Sequence, residues 1–257
     1  MTSLLRYFGM PEVASAHGKG IDELILYVHL LMGALFVGWL AYFIFVMFRF
    51  KKSSNPKADY VGVRSHASTY LEIGVAIVET VLLVGLAVPL WAKAVDSPPG
   101  AEQKPIEIQV MAQQFAWAAH FSGADGKWGK QDTKFADRGN PFGLDTSDAD
   151  AKDDISVVSE PFLLPVNRPV IARTSSMDVI HCFKLVSMRV TQDVIPGLTI
   201  PVHFTPTKIG DFTITCAQLC GSGHSSMKGA FKVVSQADYD KWFAEKSKAG
   251  GAGGSFE

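Results

Sequence analysis

The chain has 257 residues, 47% of them hydrophobic, with a positive mean hydropathy and a formal net charge of -1. That length supports one good core with material to spare, and the balanced charge offers no basic face or stripe of the kind nucleic-acid binding needs. Three cysteines cannot build a disulfide framework, so partners must be read from local features.

Residues 24–48, "LILYVHLLMGALFVGWLAYFIFVMF", contain no Asp, Glu, Lys or Arg. As a helix rising ~1.5 Å per residue, the run crosses a ~30 Å hydrocarbon layer. It is too long for a signal peptide, follows no basic start and ends in no small-residue cleavage site, so a membrane span is expected. His29 inside it reads as a packed or pore-facing histidine, because no partner motif accompanies it. A second run at 73–91, "IGVAIVETVLLVGLAVPLW", carries Glu79 and Pro89 and is still long enough to span.

Between the two lie Arg49, Lys51, Lys52, Lys57 and Arg64, a basic loop predicted to face the cytoplasm or matrix. Both termini then face outward, and everything after Lys93 forms a domain beyond the membrane. Carboxylates at or within a span are costly unless paired, protonated or facing water, which makes Glu72 and Glu79 proton-pathway candidates. Glu72, near the basic end, equally fits an interfacial anchor; Glu79, deeper, fits packing against another subunit. Two helices shield it poorly, which predicts a larger membrane partner.

The Pro and Gly punctuation of "VDSPPGAEQKP" marks a linker over 93–104. The texture then turns to β. In "PIEIQVMAQQFAW", Ile106, Ile108 and Val110 alternate with Glu107 and Gln109 at the period of a half-buried strand. "FLLPV", "PVIARTS", "DVIHCFKLV", "LTIPVHFTP", "DFTITC" and "GAFKVV" follow, and many short strands broken by Pro and Gly predict a sandwich or barrel. Residues 122–160, rich in Asp and Gly, interrupt the pattern as a long surface excursion. Its aspartates are either simply solvated or steer a basic soluble partner. The end, "DYDKWFAEKSKAGGAGGSFE", reads as a short helix and a flexible Gly-rich tail. The expected division is an outward N-terminal segment 1–23, a helical hairpin 24–92, the linker 93–104, a β domain 105–248 with the insertion 122–160, and a tail 249–257.

"CAQLCGSGHSSM", residues 216–227, places two thiols, an imidazole and a thioether within a dozen positions. Such donors select soft or borderline metals, copper above all. Zinc is the rival, but structural zinc closes its tetrahedron with Cys and His alone, and Met227 tips the balance towards copper. A single blue-copper ion takes one cysteine; two thiolates four residues apart suit a bridge between two copper ions. A second histidine must then come from elsewhere: His181 in "DVIHCF" is the leading choice, with His120 and His203 as competitors. Cys182 is left over and reads as a small buried thiol.

On these residues the chain resembles subunit II of the haem-copper cytochrome c oxidases. The likeness covers "ASAHG…ID", the two spans, the β domain, "DVIHCFKLVSMRVTQDVIPG" and "CAQLCGSGHSSM", whose Cys, three residues, Cys, three residues, His, two residues, Met pattern holds the family's binuclear CuA centre. The resemblance implies a two-helix transmembrane hairpin followed by an all-β cupredoxin-like Greek-key sandwich. It further implies two copper ions contacted by His181, Cys216, Gln218, Cys220, His224 and Met227, with both cysteines bridging and Gln218 offering its backbone carbonyl. The family's glutamate at that middle position also reaches a magnesium ion shared with subunit I; Gln218 has no carboxylate, which puts magnesium in doubt.

The family's Gln, Trp, Tyr, Trp motif is "QFAW" here, so Phe115 stands where the first Trp receives electrons. Trp117 is expected to substitute as the surface ring near CuA, or else to be a core tryptophan. Glu72 in "YLEIG" resembles the family's glutamate at the mouth of a proton channel. Arg189 and Asp193 match positions near the haem propionates of subunit I, or form a structural ion pair. The implied function is to accept electrons from cytochrome c and pass them to the haem and copper of subunit I, where oxygen is reduced and protons are translocated. Subunit III is a further expected partner. The expected place is a bacterial inner membrane with the CuA domain on the periplasmic side. Nitrous oxide reductase shares the loop but is soluble, and quinol oxidase subunit II lacks the ligands. The rival of a different class is a membrane-tethered copper-delivery protein binding a single Cu(I).

Overall fold

Uninterrupted apolar composition favours helix over both hydrophobic runs, because only a helix satisfies its own backbone in lipid. A computed structural model of the chain describes residues 6–57, 59–62 and 64–249; the glycine-rich tail beyond Ala249 and the first residues of the N-terminal segment lie outside these. The first run lies in helix α1, Gly18–Arg49, and the second in α2, Ala67–Val95. Both are long and apolar enough to cross a membrane. Their large side chains, among them Phe36, Trp39, Phe43, Leu83 and Trp91, are exposed, a surface suited to lipid or to other membrane helices. Within α2 the backbone widens to a π-helical stretch at Val81–Ala87 just before Pro89, where the missing proline N–H breaks the regular ladder. Glu72 and Glu79 are both exposed on α2.

The helices form one compact unit, and Gly9–Lys19 joins the chain from Ala94 onward in the other. The second unit is a β-sandwich of two five-stranded sheets, in order β3-β2-β1-β5-β8 and β4-β10-β9-β6-β7. The strands are β1 Ile106–Gln113, β2 Ala116–Phe121, β3 Ile155–Val158, β4 Phe162–Pro165 and β5 Val170–Ser176. They continue as β6 His181–Leu185, β7 Val190–Val194, β8 Ile200–Phe204, β9 Gly210–Cys216 and β10 Lys228–Val234, and helix α3, Gln236–Ala249, ends the described chain. The expected two-helix segment followed by a cupredoxin-like sandwich is the fold of this chain.

Alternation decides which side chains go inside. Ile106, Ile108 and Val110 on β1 are buried and face Phe121, Leu164, Phe183, Leu185, Ile214 and Phe231 in one core. Each such side chain contributes roughly 1.5–3 kcal/mol by leaving water. Tyr239, Trp242 and Phe243 of α3 cover one end of the core, with Trp242 edge-on to Phe121 at 5.4 Å.

Three features go beyond the sequence expectations. Residues 155–158, counted with the excursion, form β3 against β2, because Ile155 and Val157 alternate inward. The segment before α1 is a strap on the sandwich: Ala14 N–H donates to Ser187 C=O at 2.7 Å, Thr207 N–H to Ala14 C=O at 2.7 Å, and the Ser15 hydroxyl to Met188 C=O at 2.6 Å. Arg189, in the left-handed region at φ 55°, donates to the Pro11 carbonyl at 2.8 Å and so holds this strap.

Candidate metal centre

Strand β9 ends at Cys216 and β10 begins at Lys228, so the donor loop joins two neighbouring strands. Cys216 is tied to β6 by the pairing Phe183↔Cys216, which brings it beside His181 at the start of that strand. Cys216 Sγ lies 3.9 Å from His181 Nδ1, 3.1 Å from the Gln218 carbonyl and 3.8 Å from Cys220 Sγ. Cys220 Sγ lies 3.7 Å from His224 Nδ1 and 3.7 Å from Met227 Sδ. All six residues named from the resemblance thus converge on one pair of sulfurs.

Among the described residues, His181, Cys216 and Cys220 form a group whose ligand atoms lie within 4.8 Å of one another. The competing histidines are placed elsewhere. His120 is buried on β2, donating from Nε2 to Asp154 at 2.9 Å, and His203 lies on β8, in the other sheet from His181.

His181, Cys220 and Met227 are buried, Cys216 and His224 half-buried, and Gln218 exposed. Burial, reinforced by the neighbouring Cys216, pushes the Cys220 thiol up to about 11. Cys182, next to His181 in sequence, is also buried, and burial with a hydrogen bond to Asp193 pushes its thiol up to about 11. The Cys220 thiol, so placed, is protonated at neutral pH, so a metal ion binding there must displace its proton. Two thiols, two imidazole nitrogens, a thioether and a carbonyl oxygen around one point fit copper in its soft-donor chemistry.

Two residues that sequence reasoning passed over complete the surroundings. Asp178 accepts from His181 Nε2 at 2.8 Å, which leaves Nδ1 unprotonated and directed at the sulfurs. Burial pushes the Asp178 carboxyl up, but its hydrogen bonds from His181, Gln114 and Val179 outweigh that and hold it below the usual carboxylate range. Gln114 donates from its side chain to the Cys220 carbonyl at 2.6 Å. A carboxylate three positions before a candidate histidine is a signal the sequence carried, and Gln114 opens the "QFAW" stretch, whose aromatic positions alone were given a role.

The expectation of Trp117 as a surface ring is corrected. It is 4% exposed, because its register partner on β1 is the fully buried Ala112, which turns both side chains into the core. Its ring lies edge-on to Phe183 at 5.6 Å and to His181 at 6.3 Å. The exposed aromatic is Phe115, 37% exposed in the turn between β1 and β2. A side chain at Gly223 would collide with its ring, so a bare loop backbone seats Phe115 directly on the donor loop.

The family model described as the periplasmic domain of cytochrome c oxidase subunit II matches residues 106–234, half of the chain, from the first strand to the last. An "Alternative cytochrome c oxidase subunit 2" of Bradyrhizobium diazoefficiens is 28% identical over 235 residues, covering 91% of this chain and 83% of the relative. A "Cytochrome c oxidase subunit 2" of Synechocystis is 27% identical over 260 residues, covering 93% of this chain and 76% of the relative. The crystal structure of the periplasmic domain of subunit II of cytochrome oxidase from Bradyrhizobium japonicum superposes with a TM-score of 0.43 at 22% identity, over 60% of this chain and 99% of that one. With its strands β1 to β10 matched throughout, this chain belongs to the cytochrome c oxidase subunit II family.

Proposed function

We propose that this chain is the electron-accepting subunit of a haem-copper oxidase, holding a binuclear copper centre, CuA, at His181, Cys216, Gln218 (by its carbonyl), Cys220, His224 and Met227. The observation that carries this reading is the facing pair of sulfurs, Cys216 and Cys220, 3.8 Å apart, with an imidazole nitrogen beside each. When bound, the copper pair supplies one-electron redox chemistry on soft ligands.

The chain's own residues prepare that site. Asp178 keeps the His181 proton on Nε2, so that Nδ1 presents its lone pair. Buried Met227, Cys220 and Trp117 exclude water from one side. Strands β6 and β9 hold His181 and Cys216 on one ladder, and the loop that joins β9 to β10 carries the other four, so little needs to move at the strand end when an electron arrives.

On this reading cytochrome c donates at the loop end of the sandwich, where Phe115 and Leu219 are exposed, and the electron passes on to subunit I for oxygen reduction and proton translocation. Trp117, behind Phe115 in sequence and against His181, lines the way inward rather than receiving the donor. Subunits I and III cover the exposed apolar faces of α1 and α2, and Glu72 stands at a proton-channel entrance. Residues 24–92 form the membrane hairpin of a bacterial inner membrane, with residues 105–248 outside it. The strap Gly9–Lys19 before α1 belongs to the sandwich's own unit. Magnesium is not proposed for this chain, since Gln218 lacks the carboxylate.

The test is copper stoichiometry and electron paramagnetic resonance on the purified full-length chain in detergent. Two coppers per chain sharing one unpaired electron, with hyperfine lines from both, are expected. One cuprous ion per chain and no signal overturns the reading in favour of copper delivery.

A further inference from the structure

His181 and Cys216 are held relative to each other by the β6–β9 ladder, through Phe183↔Cys216. Cys220 is not: it lies four residues beyond the end of β9, in the loop before β10. Something outside the ladder must set its distance from His181.

We infer that Gln114 is a positioning residue that does this, cross-linking the donor loop to the turn that carries His181. The inference rests on the copper reading above. The Gln114 side chain donates from Nε2 to the Cys220 carbonyl at 2.6 Å, while its backbone N–H donates to Asp178 Oδ2 at 2.7 Å. The other oxygen of Asp178 accepts from His181 Nε2 at 2.8 Å and from Val179 N–H at 2.7 Å. A continuous path of hydrogen bonds therefore runs from Cys220 through one glutamine and one carboxylate to the ring of His181.

The surroundings are shaped for it. Gly221 has φ +139°, and a Cβ there would lie 2.8 Å from Gln114 Nε2, so only glycine lets the amide reach the carbonyl beside it. The pair Gln113↔Ala116 closes the β1–β2 turn on either side of Gln114 and Phe115, and Phe115 rests on Gly223 two residues further along the loop. The turn is thus a wedge between two ligand-bearing segments. Hydrogen bonds one step removed from ligand atoms govern metal affinity by about ten- to a hundredfold.

The experiment uses the full-length chain in detergent, loaded with copper alone, and reads copper loss to a chelator and the visible and paramagnetic spectra. Gln114→Met keeps the length of the side chain and removes the donor. About tenfold faster copper loss is expected, with a shifted spectrum. Gln114→Glu, of the same shape with an acceptor facing the carbonyl, must show the same loss. Thr174→Val is the control: it removes a buried hydroxyl that donates to Ile200 C=O at 2.9 Å, and it should lower the melting temperature while leaving copper loss and spectra unchanged. Wild-type rates and spectra in both Gln114 variants, or an equal effect in Thr174→Val, overturn the inference. A wild-type chain that retains no copper overturns the copper reading itself.

Discussion

Two loops of the sandwich are crowded with potential ligands, and they behave oppositely. In the excursion 122–154 the carboxylates turn back on their own backbone. Asp137 accepts from Gly139 N–H at 2.7 Å and Asn140 N–H at 2.8 Å, Asp145 from Ser147 N–H at 3.0 Å, and Asp153 from Ala124 N–H at 2.7 Å. Asp137 and Asp145 form local turns that use acidic side chains as caps, and Asp153 ties the two ends of the excursion together. In the donor loop the sulfurs face each other, and the strongest hydrogen bonds go to the backbone and histidine ring behind them. Acidic residues satisfied by their own loop are scaffold; donors whose supporting groups are satisfied while their ligand atoms face one another form a site.

The sharpest way to break this contrast is to remove one of the two facing sulfurs. Cys216→Ser or Cys220→Ser should lower copper affinity by roughly a hundredfold or more, read as copper retained per chain after gel filtration. The buried hydrogen bond between Asp154 of the excursion and His120 of β2 comes next. His120 and Asp154 have no exposed side-chain surface and lie 2.9 Å apart, so Asp154→Ala leaves a buried imidazole without its carboxylate. A loss of about 3 kcal/mol is expected in urea unfolding, with copper retention unchanged. If copper is lost as well, the two loops are not independent.

Asp178→Asn tests the carboxylate behind His181, and about tenfold weaker copper binding is expected in chelator competition. A pH series follows in size. Folding raises the Cys220 and Cys182 thiols from the ordinary 9.0 to about 11, chiefly through burial. Unfolded thiols ionise from the lower value and folded ones only near the upper. Stability of the metal-free chain is therefore complete below pH 9.0 and falls through the window up to about 11. Copper-loaded protein should lack the Cys220 share of that fall in thermal melts. The smallest effect belongs to Asp132→Ala on the exposed face of the excursion, where neither copper retention nor spectrum should change.

Much of this was legible in the chain itself. The spans were readable because lipid imposes length and composition on every residue of a run. The strands were readable where burial alternates, as at Ile106, Ile108 and Val110. Residues 155–158 were missed because four alternating residues that follow two aspartates look like loop until β2 supplies a partner. The cluster of donors was readable because thiols, imidazole and thioether three and four residues apart on one loop carry their chemistry in their spacing.

Trp117 and Gln114 mark where that ended. Whether a ring at the end of a hairpin faces solvent or core depends on the register across the turn, and Ala112 opposite Trp117 decides it. Which amide reaches Cys220 depends on three turns, at 114–115, 177–180 and 217–227, meeting at one end of the sandwich. The sequence by itself determined the membrane helices, the β character and the identity of the donors, because these follow from composition and short-range spacing. Only the tertiary structure decided that His181, the leading choice among three histidines, stands beside the thiols, which aromatic of the β1–β2 turn is exposed and what holds Cys220 in place. Each of those depends on contacts between residues far apart in the chain, which no local pattern records.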